Sequence, residues 1–396
     1  MTGHRPMTPF RVTFALILVM VAVLLVAGCG NVPQEYNLVL IKMQPDGSVG
    51  WSKTFEDKAI KEIAETFDGS YIITYSIVTH RPENVPDKII RLSKNGDQIW
   101  EQSMPESRDI QCLNQGLIGT SDNGFALAAA RGGVCLFSPE GNVLWDRGAG
   151  IVYTDESFIQ TKEGGFLIVG DYFGNSSMPT IKKLDSRGFR VWVHPVQGRE
   201  LDNAQSIIEL PDDSGYLVSF DGTHKQESNH PLYIARLDKN GSLINYTKIS
   251  PDGWFTSGIT QAASDEFVIF YHNFSGINRE YNGGYSVDTF LNNSNTALYM
   301  DPIGHEKRSI ILPSYNVPIV SSPDGGYLFA GFAGGDGQYY GNIFKNVTDC
   351  KLHIVKLNSM QTPEWEKVIH GVRVSTVGNI IPLKDGGYLL LCSTPK

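Results

Sequence analysis

Two short hairpin patterns alternate along residues 36–396, and this repetition restricts the fold more than any other feature of the chain. The first is a strand, an Asp/Gly turn and a second strand opened by an aromatic. It reads TFDGSYIITY from Thr66, TSDNGFALAA from Thr120, TKEGGFLIVG from Thr161 and PDDSGYLVSF from Pro211. It continues as ASDEFVIFY from Ala263, SPDGGYLFAG from Ser322 and LKDGGYLLLC from Leu383. The second pattern is an apolar strand, a turn around Asn-Gly or an equivalent, and a strand carrying Trp. It reads LVLIKMQPDGSVGW from Leu38, KIIRLSKNGDQIW from Lys88, VCLFSPEGNVLW from Val134 and IKKLDSRGFRVW from Ile181. YIARLDKNGSLINY from Tyr233, a worn ALYMDPIGHEKR from Ala297 and HIVKLNSMQTPEW from His353 complete the set.

Each unit is therefore four short strands in about 50 residues, the spacing of a propeller blade. Runs such as YIITY and FLIVG are continuously apolar, which fits strands covered on both faces by neighbouring sheets. The chain opens with the second pattern and closes with the first, so the two ends are complementary half-blades. An open solenoid would leave two bare sheet edges. The sequence predicts an all-β, seven-bladed β-propeller of four-stranded antiparallel blades. Its ring is closed by residues 36–53 pairing with residues 375–393.

Trp51, Trp100, Trp145, Trp192 and Trp365 each follow the turn glycine, or its stand-in, by four residues. Identical spacing in five units indicates packing between blades rather than ligand stacking. The fifth copy offers Tyr246 one residue late and the sixth has Arg308 in that place, so those two junctions are expected to be looser. The G-x-x-x-W repeat resembles that of the tryptophan-docked propellers of the quinoprotein-like superfamily, and the resemblance spans residues 36–396. That superfamily's redox members usually have eight blades, an Asp/Glu calcium site and often adjacent cysteines. Those signatures are not recognisable here, so no cofactor and no metal are expected. Asp46, Asp68, Asp122, Asp185 and Asp385 recur at the turns and are expected to bond their own backbone rather than calcium.

Ahead of the repeats, Arg5 and Arg11 precede an apolar run from Val12 to Val26, then Ala27-Gly28-Cys29. The run is short for a membrane span and suits a secretory leader. Val26-Ala27-Gly28-Cys29 resembles the lipobox of bacterial-type lipoproteins. The expected organisation is a signal peptide over 1–28, a lipid-anchored tether over 29–35 with Cys29 acylated, and the propeller over 36–396. This places the domain in the cell envelope, membrane-anchored on an extracytoplasmic face. The net charge is −9, and loss of the leader removes two arginines and no acids, so nucleic acid is not an expected partner. Cys112, Cys135, Cys350 and Cys392 remain, with three pairings open to them or none.

Connections within each hairpin are tight, whereas those between strands 2 and 3 vary widely and all lie on the opposite face. Two are long: His272 to Thr296 and Phe332 to Cys350, in neighbouring blades five and six. They bring Tyr281, Tyr285, Tyr339, Tyr340 and Phe344 to one sector of the rim, residue types that suit recognition. No catalytic motif is present, so no catalytic residue is assigned. The reading that follows is a binding scaffold for a protein or glycan, not an enzyme. The alternatives are a glycan hydrolase or lyase built at the channel mouth, and a structural subunit of an envelope assembly complex.

Overall fold

The structure, a computed structural model, describes residues 36–77, 87–105, 116–129, 133–147, 152–172, 178–198, 200–222, 231–251, 253–255, 258–263, 265–273, 276–282, 285–291, 294–312, 319–322, 324–333, 339–340, 351–360, 362–369 and 376–395. Seven four-stranded antiparallel sheets follow one another. Blade one comprises Lys58–Glu65, Tyr71–Ile77, Lys88–Leu92 and Gln98–Ser103. Blade two comprises Leu117–Gly119, Phe125–Ala129, Gly133–Phe137 and Val143–Arg147. Blade three comprises Val152–Gln160, Phe166–Tyr172, Met178–Leu184 and Arg190–Pro195. Blade four comprises Asn203–Glu209, Tyr216–Asp221, Leu232–Leu237 and Leu243–Ser250. In blade five strand 1 is split into Gly253–Phe255 and Thr260–Ala263, followed by Glu266–Asn273, Ser294–Met300 and Glu306–Leu312. Blade six comprises Ile319–Ser321, Tyr327–Ala333, Lys351–Leu357 and Pro363–Ile369. Blade seven takes strands 1 and 2 from Thr376–Pro382 and Tyr388–Pro395, and strands 3 and 4 from Tyr36–Met43 and Val49–Phe55. The ring thus closes between the two ends of the repeat array, with Tyr36 opposite Pro395 and Met43 opposite Tyr388.

First strands of neighbouring blades touch one another and crowd the axis, while fourth strands alternate exposed and half-buried residues at the circumference. Strand 2 is buried along its length, as Tyr71–Tyr75 shows. The tight turns share one design. In blade seven, Gln44 N–H donates to Ser48 O and Gly47 N–H to Gln44 O, with Gly47 at positive φ. This is a three-residue loop whose last position needs the left-handed conformation. Asn123 and Asp213 take that position in blades two and four. The turn aspartates bind their own backbone as expected: Asp46 accepts from Ser48 N–H, Asp68 from Ser70, Asp122 from Gly124, Asp185 from Arg187 and Asp385 from Gly387.

The tryptophans dock blades together. Trp51, Trp145, Trp192 and Trp365 cover the glycine in the strand 3–4 turn of the next blade, namely Gly96, Gly188, Gly241 and Gly47. The indole N–H of Trp51 donates to Lys94 O at 3.0 Å, that of Trp100 to Pro139 O at 3.0 Å and that of Trp365 to Pro45 O at 2.8 Å. All five rings also meet the aromatic that opens strand 2 of the next blade: Tyr71, Phe125, Phe166, Tyr216 and Tyr388. The two repeat motifs are halves of one joint.

At the two odd junctions the indole is replaced in different ways. Arg308 does not simply leave its joint empty: its guanidinium donates to Ser359 O, the counterpart of the tryptophan acceptors, and pairs with Glu266 at 2.9 Å. Tyr246 is not a displaced docking residue. Strand register puts Asn245 opposite Arg236, where Trp100 stands opposite Arg91, so Tyr246 faces the other side. A fivefold-spaced aromatic cannot reach the joint, because side chains alternate along a strand.

The register also shows a β-bulge in every fourth strand, immediately before the docking position. The extra residues are Gly50, Ile99, Leu144, Val191, Ile244, Lys307 and Glu364. Bulges twist an edge strand away from edge-to-edge pairing. In four consecutive blades the extra residue is an exposed aliphatic, Ile99, Leu144, Val191 and Ile244, each over half exposed.

Candidate functional site

On the tight-turn face, the residue after the first turn position reaches to the next blade. Lys384 N–H donates to Glu65 Oε2 at 2.9 Å, Ser121 N–H to Gln160 Oε1 at 2.9 Å and Lys162 N–H to Glu209 Oε2 at 2.8 Å. From blade one to blade two the acceptor position is Gly119, where a Cβ would collide with the Glu65 carbonyl. A depression of about 340 Å³ lies at this position. Its wall includes Ile118, Ile159 and Phe67, the last 64% exposed with the Lys384 ammonium 4.8 Å from its ring centre. A second cleft, of about 400 Å³, lies between blades three and four and is lined by Lys183, Trp192, Tyr216 and Lys239.

Beneath the turns, strand 3 carries a cation that pairs with the turn acid of its own blade. The pairs are Lys42–Asp385 at 2.6 Å, Arg91–Asp68 at 2.9 Å, Lys183–Glu163 at 3.1 Å and Lys356–Asp324 at 2.7 Å. Burial works against both charges. Even so, the bond between them holds the Lys42 ammonium above and the Asp385 carboxyl below their ordinary ranges. Arg91 further donates to Asn123 O and Pro139 O of blade two. These cations recur in the sequence as IKM, IRL, KKL and VKL, one residue before the end of strand 3, but a turn acid that already bonds its own backbone gives no local signal of a second partner. They hold turns in place.

One carboxyl stands apart. Glu62 lies on the innermost strand of blade one just past a bulge, and burial pushes its pKa up to about 7. Burial is the whole cause, which describes an isolated carboxyl rather than a coupled acid–base pair. Among the described residues no group of three or more His, Cys, Asp or Glu is placed to hold a metal ion.

The loop face is built differently. The connection from His272 to Thr296, expected as a long loop, is mostly a two-stranded antiparallel ribbon, Gly276–Asn282 with Tyr285–Leu291. Its pairing keeps the register of strands 2 and 3 of blade five: Asn273 stands opposite Ser294 and, three residues on along each strand, Gly276 opposite Leu291. Strand 1 ends opposite Asn273 and strand 4 opposite Asn295, so the ribbon runs on beyond both. The sequence signal was there: alternating Ile, Tyr, Val and Phe around a Gly-Gly pair, the composition of a two-residue hairpin turn. In the ribbon's register Tyr281 is paired with Ser286 and Tyr285 with Asn282. In blade six, Tyr339 and Tyr340 pair with Ala333 and Phe332, extending the edge that the short first strand leaves free. Phe344 and Cys29 lie outside the described residues, as do Cys112 and Cys350. Cys135 and Cys392 are free, buried thiols, and burial raises the pKa of both.

No protein-family model matches the chain, and no curated protein does. Among solved structures it is similar to BamB from Moraxella catarrhalis, at 14% identity over 87% of this chain and 88% of that one, with a TM-score of 0.45. It is similar to the Dos1 propeller, at 11% identity over 84% and 91% with a TM-score of 0.49. The C-terminal WD40 domain of Sif2 gives 11% identity over 88% and 86% with a TM-score of 0.48. Identities this low concern the fold.

Proposed function

We propose that this chain is a lipid-anchored, extracytoplasmic interaction scaffold that holds a protein or glycan on its long-loop face and catalyses no reaction. In this reading residues 1–28 are a removed leader and Cys29 carries the lipid. Residues 29–35 are the tether, and the quinoprotein-like joints serve only to build the ring. Tyr281, Tyr285, Tyr339, Tyr340 and Phe344 supply the recognition surface. The observation that carries it is the asymmetry of the two faces. One is made almost throughout of near-identical three-residue turns, little more than hairpins require. The other bears a ribbon that continues past its own blade and adds nothing to closing the ring. Structure beyond what stability needs is where binding is placed.

The test replaces residues 274–293 by Asn-Gly, which closes the hairpin directly at Asn273 and Ser294, and shortens the blade-six connection separately. Ligand binding on a glycan array, or chemical cross-linking in the native envelope, is expected to be lost with the ring's melting temperature kept. Binding that survives both deletions removes the assignment.

A second reading has its own support. The exposed Ile99, Leu144, Val191 and Ile244 form an apolar arc on the outer circumference of blades one to four, where blades five to seven carry Lys307, Glu364 and Gly50. A subunit of an envelope complex would use such an arc. Replacing all four by Ser would then disperse the complex while leaving loop-face binding intact.

A further inference from the structure

The geometry points to the loop face being turned toward the membrane, with the ribbon tip of blade five resting on the lipid headgroups. This rests on the lipid-anchor reading. The first strand of the ring, Tyr36–Met43, is strand 3 of the closing blade. Strand 3 always starts at the loop face, because the tight turns lie at its other end, so the tether leaves the ring on the side of the long loops.

Register sets the heights. Met43 stands opposite Tyr388 in blade seven, and Met300 opposite Phe267 in blade five, each the aromatic that follows the turn. Counting seven residues toward the loop face reaches Tyr36 in one blade and the row just past Ser294 in the other. The tether and the ribbon therefore start at the same level. From Cys29 to Tyr36 the chain spans at most about 25 Å when extended. Tyr285 lies nine residues from Ser294 along the chain, about 30 Å at strand spacing. An anchor in the bilayer thus keeps the base of the loop face closer to the membrane than the ribbon is long.

The tip is chemically suited to this place. Tyr281 and Tyr285 bracket Gly283-Gly284, and tyrosine favours the membrane–water boundary, where one end is apolar and the other wet. The occupant of the tip is the lipid surface, which leaves Tyr339, Tyr340 and Phe344 as the part of the proposed recognition surface open to a protein or glycan, and the two attachments, at blades seven and five, fix the orientation of the ring. Any protein or glycan held on the loop face is then held within a slot about one ribbon deep.

The experiment uses the full chain expressed in a host that acylates lipoproteins. A photoreactive p-benzoylphenylalanine replaces Tyr285 in one version and Phe67, on the tight-turn face, in another. Acylation is followed in parallel by palmitate incorporation, with Cys29→Ser as the control. The expected result is palmitate on the wild type, none on Cys29→Ser, and phospholipid adducts at 285 but not at 67. Acylated protein with adducts at 285 to protein alone, or with no adducts, overturns the orientation and leaves the anchor standing. Lipid adducts at 67 in place of 285 overturn it as well. A chain that takes up no palmitate overturns the anchor and the inference together.

Discussion

The junction between blades seven and one and the junction between blades four and five occupy equivalent places and are joined by different means. At the first, Trp51 covers Gly96, donates to Lys94 O and meets Tyr71 edge-on at 5.8 Å. At the second, the docking position holds Asn245, whose Oδ1 is buried without a hydrogen-bond partner. Gly304, the turn glycine there, meets only Ile234 and Leu217. The weaker junction is joined near the axis instead, where Ile259 N–H donates to Ser206 Oγ at 3.1 Å. Glu62 holds the matching position in blade one: each follows the strand-1 bulge and precedes the residue opposite the turn aromatic by three. That places Glu62 inside the junction of blades one and two, which Trp100 joins outside through Phe125 and Pro139 O; there a junction strong outside carries a buried acid inside, and the four–five junction reverses that arrangement. A closed ring tolerates this, because each blade is held from two sides and by the shared seventh sheet.

The largest expected break in this contrast is Trp51→Ala. It removes a half-buried indole, its hydrogen bond and its cover over Gly96, and is expected to cost about 3 kcal/mol in urea unfolding. Tyr246→Ala, outside the joint, should cost under about 0.5 kcal/mol. Equal losses would mean that Tyr246 docks after all.

Next is Glu62→Gln. Folding raises this carboxyl from an ordinary 4.5 to about 7, so the folded state favours its protonated form. The resulting penalty is absent below about pH 4.5, grows as pH rises through 7 and is complete above it. The substitution should therefore stabilise the ring at pH 8 by about 2–3 kcal/mol and change nothing at pH 4. A stability gain that does not vary with pH would place Glu62 in water.

A smaller effect separates the two glycines. Gly96→Ala meets both a φ of 84° and the Trp51 ring at 2.9 Å; Gly304→Ala meets a φ of 87° and nothing nearer than 3.3 Å. Thermal melts should show a loss of about 2 kcal/mol for the first and about 1 kcal/mol for the second. The smallest is a gain. Asn245→Trp removes a buried unpaired oxygen and supplies the missing cover over Gly304, worth about 1 kcal/mol. A loss of stability would show that the blade four–five junction has no room for the indole.

The fold was legible to an unusual depth because its instructions are local and repeated. A turn glycine, an aromatic one or two residues later and a tryptophan four residues past its own glycine each act within a few positions of the backbone they specify. Seven repetitions separate that signal from chance, and the complementary half-blades at residues 36–53 and 375–393 disclose the closure. Of the candidate site, the sequence located the blade-five excess and its tyrosines. It did not disclose that the excess is a ribbon in register with its blade, since pairing register is a property of two strands rather than one.

The amino-acid sequence by itself determined the number of blades, the place where the ring closes, the turn conformations and the five tryptophan joints. Only the tertiary structure decided which residue faces a joint where spacing slips, as at Asn245 and Tyr246. It alone decided that Arg308 replaces an indole as donor, that Lys42 finds Asp385 across the closing blade, and that Glu62 is enclosed enough to hold a proton near neutral pH. The physical reason is range. Backbone conformation and apolar alternation are set by neighbours in the chain, whereas a bulge shifts every later side chain to the other face. Desolvation, in turn, depends on blades that the residue meets only after the circle is complete.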